Sequence, residues 1–244
     1  MIEDLKLILK NADITLDDSA CRRLEAYHAL LLQWNGRMDL TNVPENEMAL
    51  RHYGDSLLPL AQAQWFPQGA SLIDVGSGAG FPGLPLAIAR PDLRVTLLDS
   101  QRKRCDFLRA VTEELALGNV TVLHARAEDA ARGDLRERFD LAVARAVAPL
   151  NVLCEYLLPF VRLGGRALCW KGPAVTEELK SGEKAAHILG AKAEPLLRLP
   201  IAGREHYVQP FVKLKKTLRP YPRKSGTPAK EPLGQIGEAS GNTK

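Results

Sequence analysis

The sequence predicts an α/β fold, a mostly parallel, doubly wound sheet behind a helical N-terminal extension. Three observations carry that prediction. After Gly69, short apolar runs alternate with helical patterns, the signature of strand–helix–strand units. The first run leads into a glycine-rich turn that opens a helix. The last two runs are joined only by Pro200–Glu205, a link long enough for an antiparallel hairpin and too short for a helical crossover.

Taken in order, residues 1–65 read as helical. A helix capped by Asp17 or Asp18 and running to about Trp34 places Leu24, Tyr27, Leu31 and Trp34 on one face, a packing stripe. A second helix is expected over Glu45–Ala63, bent near Pro59. The strand-like runs are Ser71–Val75, Arg94–Leu98, Val120–Leu123, Phe139–Ala144, Gly165–Trp170, Ala193–Leu199 and His206–Leu214. Helical patterns fill Leu84–Arg90, Arg102–Leu117, Pro149–Leu158 and Val175–Leu189. Beyond Thr217, four prolines and four glycines among scattered charges predict an irregular tail. Three regions follow: a helical extension over 1–65, an α/β core over 66–216 and a Pro/Gly-rich tail over 217–244.

Composition limits the classes available. With 45% hydrophobic and 25% charged residues, the 244-residue chain can bury a sizeable core. No apolar run reaches the roughly 18 residues of a membrane span. Acids stand at Glu3 and Asp4, where a signal peptide carries basic residues. Cys21, Cys105, Cys154 and Cys169 form no C-x-x-C pair, which fits buried, inert thiols in a reducing cytoplasm. Charge is unevenly spread: Lys213–Lys244 carries eight basic and two acidic residues, a net +6 on a body of −2. Such a tail fits either a polyanionic partner or a solubilising end.

The strongest motif is Leu72-Ile73-Asp74-Val75-Gly76-Ser77-Gly78-Ala79-Gly80-Phe81-Pro82-Gly83. Glycines there let the backbone turn sharply and approach a ligand closely. Pro82 suits the first helical turn, where its missing N–H is not needed. The spacing departs from the dinucleotide fingerprint G-x-G-x-x-G, whose third glycine is here Phe81, and no Gly-Lys-Ser/Thr of a P-loop follows. Asp74 lies on the first strand and Asp99 ends the second; a carboxylate at Asp99 can accept both hydrogens of a ribose diol.

This combination resembles S-adenosylmethionine-dependent methyltransferases of the Rossmann-like class I type, whose D-x-G-x-G-x-G loop and strand-two acid match Asp74, Gly76, Gly78, Gly80 and Asp99. The resemblance implies a seven-stranded sheet of order 3-2-1-4-5-7-6 with an antiparallel strand seven. It also puts Glu128, after strand three, where the class contacts adenine. After strand four this chain reads Ala144-Arg145-Ala146-Val147-Ala148-Pro149, with neither the Asn/Asp-Pro-Pro-aromatic signature of amino-group methylases nor the cysteine of cytosine-C5 enzymes. Guanine N7 needs neither. Its lone pair is free and it has no proton to lose, so the site must only align it and tolerate a purine that becomes cationic.

Further segments sharpen the match. They are Asp39-Leu40-Thr41-Asn42, Arg51-His52-Tyr53-Gly54-Asp55-Ser56, Leu98-Asp99-Ser100 with Lys103-Arg104, Trp170-Lys171-Gly172, and a tail motif from Tyr221 to Leu233. In this order, over about Leu24 to Leu233, they closely resemble the bacterial 16S ribosomal RNA guanine-N7 methyltransferase family, RsmG or glucose-inhibited division protein B. The resemblance implies S-adenosylmethionine as methyl donor and a guanosine in the 530 loop of 16S ribosomal RNA as target. That RNA would be met in the small subunit or an assembly precursor, by a cytoplasmic protein. A monomer, with no metal and no membrane contact, is expected. Carried over by motif, the cofactor contacts are Gly76, Gly78, Phe81, Asp99, Ser100, Ala127, Glu128 and Arg145. Gly234–Lys244 falls outside the resemblance.

Arg145, at the carboxyl edge of strand four, is the best candidate for catalysis by orientation, pairing with the methionine carboxylate or holding guanine O6. His52 and Asp55 share a helix face. With Asn42 and Lys171 they form either an RNA pocket or a capping and packing network. Lys103 is a solvated residue or a phosphate contact. Arg223, Lys224 and Lys230 belong to a segment expected to track phosphates and to order on RNA binding, so removing it from Tyr221 onward should weaken RNA binding and spare the cofactor. Two other readings remain, a nucleotide-sensing or RNA-binding module that has lost catalysis and, weakened by Phe81, a dehydrogenase.

Overall fold

The computed structural model describes residues 1–145, 148–201, 203 and 205–235. The end of the private extension, residues 236–244, and Ala146 and Val147 of the strand-four motif lie outside the described residues.

Two helices open the chain, α1 (Ile2–Lys10) and α2 (Asp18–Asn35). Asp17 caps α2, its carboxylate accepting from Ala20 N at 2.7 Å. Leu24, Tyr27 and Leu31 on the expected face are completely buried.

The helix expected over 45–63 is not one regular helix. It runs as α3 (Glu45–Met48), a π-helical turn over Ala49–Gly54, α4 (Asp55–Leu57) and a 3₁₀ turn over Leu58–Ala61, with a second 3₁₀ turn at Ala63–Trp65. Pro59 has no N–H to continue α-helical bonding, which accounts for the tightening. The wide turn ends at Gly54, where a Cβ would stand 3.2 Å from both Ile8 Cγ2 and Ala49 O. The absence of a side chain there lets α1 lie against the turn.

The core alternates β1 (Ser71–Val75), α5 (Gly83–Ala89), β2 (Arg94–Asp99), α6 (Arg102–Glu114), β3 (Val120–His124), α7 (Ala127–Ala130), β4 (Phe139–Arg145), α8 (Leu150–Leu157), β5 (Val161–Lys171) and α9 (Val175–Ile188). It ends with β6 (Ala191–Ala193), β7 (Leu197–Arg198) and β8 (Tyr207–Lys213), and a short α10 (Thr227–Lys230) lies in the tail. The sheet order is β3-β2-β1-β4-β5-β8-β6, with β7 also on β8. Strands β1 to β5 pair in parallel, and β8 is antiparallel to β5, β6 and β7.

The expected sixth strand is thus two pieces, giving eight strands instead of seven. Glu194 N still donates to Pro210 O, but Pro195 has no N–H and the ladder resumes only at Leu197. With those pieces counted as one broken strand, the order is the expected one.

Period-two alternation sorts the strands between two cores. Leu72 faces a cluster that includes Leu5, Tyr27, Phe81 and Phe107, so the N-terminal helices cover that side. Ile73 and Val75 face the opposite cluster with Leu153, Phe160 and Ala186 of the α8–α9 side.

The described part of the tail does not stand off the body. Arg136 donates to Thr217 O and Tyr221 O at 2.7 Å, and Arg132 Nε donates to Pro222 O at 3.2 Å. Arg223 meets the fully buried Glu155 through Nε and Nη2, its Nη2 standing 2.7 Å from Oε2. Asn151 donates to Leu233 O. The segment expected to track phosphates is docked on the body, which supplies donors to its carbonyls and a buried carboxylate to its arginine.

Candidate functional site

The site lies at the carboxyl ends of β1, β2 and β4, where doubly wound sheets receive ligands. Gly76, Gly78 and Gly80 all have positive φ, at 75°, 57° and 98°, which L side chains rarely adopt. Gly76 N and Ser77 N both reach Leu98 O, which ties the turn to β2. Tyr27 of α2 donates its hydroxyl to Ala79 O, so the N-terminal extension holds the far side of the turn. Pro82 is the N-cap of α5, just before its first residue.

Asp74 sits beneath the turn with no exposed surface. Its Oδ2 accepts from Gly83 N at 3.0 Å, and any Cβ on Gly83 would approach that oxygen to 2.6 Å. Oδ1 is buried without a hydrogen bond among the described residues. Burial pushes the Asp74 carboxyl up to about 7, against the smaller opposing effect of the Gly83 N–H. Asp99 is 3% exposed and accepts from Gly78 N at 2.9 Å through Oδ2 and from Gln101 N at 2.8 Å through Oδ1. A carboxylate has about four acceptor positions, so further capacity faces the turn. Ser100 beside it is exposed. Arg104 stands 3.8 Å from Asp99 Oδ2.

A cavity of about 410 Å³ runs along the turn, lined among others by Thr41, His52, Gly78, Phe81, Asp99 and Arg145. A smaller one of about 210 Å³ continues past Gly76 and Ser100 between Val75, Leu98, Ala127 and Glu128. Glu128 is 4% exposed, and its Oε1 accepts from Gly226 N at 2.8 Å.

On the other side of Arg145 a third cavity, of about 260 Å³, is lined by Val43, Asp55, Trp170, Lys171 and His206. Arg145 and His52 line both this cavity and the one along the turn. The guanidinium donates to Arg51 O at 3.1 Å, His52 Nδ1 at 3.1 Å and Asp55 Oδ2 at 3.3 Å. It also lies 4.8 Å from the centroid of the Phe81 ring, on which His52 stacks at 4.4 Å. Arginine only donates, so His52 Nδ1 is the acceptor and Nε2 carries the proton, given to Thr41 Oγ1 at 2.7 Å. Burial, reinforced by the Arg145 charge, lowers His52 to about 3, so the ring is neutral at physiological pH. Asp55 Oδ1 meets His206 Nδ1 at 2.9 Å, and Trp170 Nε1 donates to Asp55 O.

The structure thus brings together Gly76, Gly78, Phe81, Asp99, His52, Asp55 and Arg145. Ser100, Ala127 and Glu128 border the smaller cavity. Lys171 lines the third cavity but is engaged, its Nζ 2.8 Å from Glu178 Oε2 and 3.0 Å from Ala148 O. Asn42 and Lys103 are exposed and line none of these cavities. Lys224 and Lys230 are exposed on the docked tail, whereas Arg223 is held by Glu155.

Sequence reasoning missed Tyr27, Thr41, Tyr156, His206 and Ala229. Thr41 stood in the quoted Asp39–Asn42 motif, next to the residue chosen. His206 carried no local signal, because only the fold brings β8 beside Asp55. The carboxylate absent after strand four enters the third cavity from α4 instead, as Asp55.

Comparison with known proteins identifies the family. The family model described as GidB, rRNA small subunit methyltransferase G, matches residues 20–206. A ribosomal RNA small subunit methyltransferase G from Alkaliphilus oremlandii is 44% identical over 238 residues, covering 94% of this chain and 99% of its own. The protein of the same name from Lactococcus lactis subsp. cremoris is 44% identical over 229 residues, covering 92% and 96%. Among solved structures, a mutant of MtNAS in complex with S-adenosylmethionine superposes with a TM-score of 0.53 at 16% identity, over 79% of this chain and 75% of that one. The YcgJ protein from Bacillus subtilis gives 0.51 at 12% identity, over 67% and 100%. These two distant likenesses concern the fold. The match of residues 20–206 and the near-full-length relatives decide the family: the chain belongs to the GidB family of rRNA small subunit methyltransferase G proteins.

Proposed function

We propose that this protein transfers the methyl group of S-adenosylmethionine to N7 of a guanosine in the 530 loop of 16S ribosomal RNA. One observation carries the reading beyond family membership: Arg145 and His52 form a wall common to the cavity along the glycine turn and the cavity before Trp170. A donor in the first and a base in the second would meet at that wall.

The residues fit the cofactor. Asp74 Oδ1, buried beneath the turn and outside both cavity linings, is an acceptor without a partner among the described residues, and Asp99, which lines the cavity along the turn, has acceptor capacity beyond its two amide bonds. S-adenosylmethionine carries a ribose diol and an ammonium group as donors. Gly76, Gly78 and Phe81 would line its path, with Ser100, Ala127 and Glu128 on the adenine side. When bound, it supplies an electrophilic methyl group.

The chain's own contribution is orientation. The Arg145 charge is balanced by Asp55 across 3.3 Å, and His52 is neutral, so the wall adds little net positive charge where N7 becomes cationic. Both Asp55 oxygens are engaged, one by Arg145 and one by His206, which suits an anchor better than a proton acceptor. Exposed Lys103, Lys224 and Lys230 remain candidates for RNA phosphates, in the subunit or an assembly precursor.

Incubation with labelled S-adenosylmethionine and unmodified small subunits is expected to label one guanosine at N7. Label at an exocyclic amino group would make Asp55 a base and reject the N7 reading. Asp99→Ala is expected to weaken cofactor binding by roughly 10- to 100-fold, since hydrogen bonds to a charged acceptor contribute about 1.5–3 kcal/mol. Calorimetry beside a far-ultraviolet spectrum checks it, and an unchanged dissociation constant rejects the ribose role.

A further inference from the structure

The C-terminal segment was expected to serve RNA. Its contacts also reach the smaller cavity. The smaller cavity has a floor of Val75, Leu98 and Ala125, and its remaining border includes Glu128, Tyr156 and Ala229. Ala229 belongs to α10, more than 70 residues after any other part of that border in the chain. The tail therefore supplies one side of the cavity.

Two contacts hold it there. Gly226 N donates to Glu128 Oε1 at 2.8 Å, and Gly226 has φ 84°, a left-handed geometry that turns the chain into α10. Arg223 is the latch. Its backbone N reaches Glu155 Oε1 at 2.7 Å, its Nε reaches both carboxylate oxygens, and its Nη2 donates to Oε2 and to Glu231 O, each at 2.7 Å. Glu155 has no exposed surface, and the next residue on α8 is Tyr156, which borders the cavity. One end of the latch is thus built into the cavity's own frame.

The contact with Gly226 also orients Glu128. With Oε1 taken by an amide, Oε2 has no partner among the described residues and is the oxygen left for a ligand donor. A slot between the apolar Val75, Leu98 and Ala125, with Ser100, Arg126 and one carboxylate oxygen of Glu128 on its border, suits a flat heterocycle bearing an amino group and ring acceptors, the adenine end of an adenosyl ligand.

We infer that residues 221–231 are a wall of the cofactor site, with Arg223 as a positioning residue that acts through Glu155 to hold Gly226 on Glu128 and Ala229 at the cavity. The segment then sets affinity for the adenosine half of the cofactor. This rests on the reading of the cavity as the cofactor site.

The test uses the full chain and S-adenosylhomocysteine in calorimetry, with steady-state methylation of small subunits beside it. Ala229→Leu, at an exposed helix position, is expected to weaken binding at least tenfold and to raise KM for S-adenosylmethionine, with the unfolding midpoint and the KM for subunits unchanged. Arg223→Lys keeps the charge, loses the forked geometry, and is expected to fall between wild type and Ala229→Leu. Asp99→Ala is the control at the other end of the site. Wild-type binding that Asp99→Ala weakens and Ala229→Leu leaves intact overturns the wall and keeps the cofactor reading. No binding by the wild-type protein overturns the cofactor reading itself. A raised KM for subunits with unchanged cofactor affinity returns the segment to RNA contact and also overturns the inference.

Discussion

Replacing Arg145 by lysine is expected to lower kcat/KM about 100-fold while the protein stays folded. The reason is shape. One planar guanidinium serves Arg51 O, His52 Nδ1 and Asp55 Oδ2 while lying over the Phe81 ring. A lysine ammonium is a point charge that cannot meet three diverging acceptors and cover a ring together. The wall between the two cavities would lose its definition, and a misplacement of about 1 Å at a reacting centre costs on the order of 100-fold, or about 2.7 kcal/mol of barrier. Arg145→Ala removes the charge as well and is expected to cost on the order of 1000-fold in rate. It would also cost about 1–3 kcal/mol of stability, because Asp55, 3% exposed, keeps only His206 as a side-chain partner among the described residues. Methyl-transfer kinetics paired with denaturant unfolding separates the two effects. An unaffected rate in both variants would reduce Arg145 to scaffold.

The second large effect concerns stability. Arg223→Met leaves the Glu155 carboxylate buried with no cation and held only by the amide of residue 223 among the described residues. Breaking a buried pair from one side costs about 3–5 kcal/mol. For a chain of this size that corresponds to a midpoint roughly 6–20 °C lower. Removing both charges in Arg223→Met/Glu155→Met is expected to recover most of the loss, since no unpaired charge then remains. Thermal unfolding of the two variants checks this, and a single variant as stable as wild type would mean that the tail does not dock in solution as it does here. The same substitution bears on charge. Of the +6 counted in the tail, Arg223 is bound to Glu155, and Lys213 is buried, donating to Leu158 O, with burial lowering it to about 8. Among the described residues, the tail charge available to a polyanion is smaller than the sequence count and rests on Lys215, Lys216, Arg219, Lys224 and Lys230, all exposed.

Much of the fold could be read from local pattern. Apolar, β-branched-rich runs bounded by turn residues located β1 to β4 and β8 and the second half of β5, Gly165–Trp170 of Val161–Lys171. The glycine turn was readable because three positive φ angles in five residues demand glycine. The π turn over Ala49–Gly54 was not readable. It depends on α1 packing against Gly54, a contact between segments more than forty residues apart. The split at Pro195 could have been found, since a proline inside a strand pattern argues for interruption.

The same division holds for the site. Local pattern sufficed for the fold class and for the glycine turn with Asp74 and Asp99, and the family motif after strand four for Arg145, since each rests on residue type and spacing close along the chain. What these residues touch depends on the tertiary fold. It set His52 and Asp55 on either side of one guanidinium, brought His206, just before β8, to Asp55, left Asp74 Oδ1 without a partner among the described residues, and turned Arg223 inward onto Glu155. The physical reason is that spacing constrains neighbours along the chain, whereas burial and charge pairing are settled between distant segments, where a carboxylate such as Glu155 can enter the interior only if a cation from elsewhere in the sequence arrives with it.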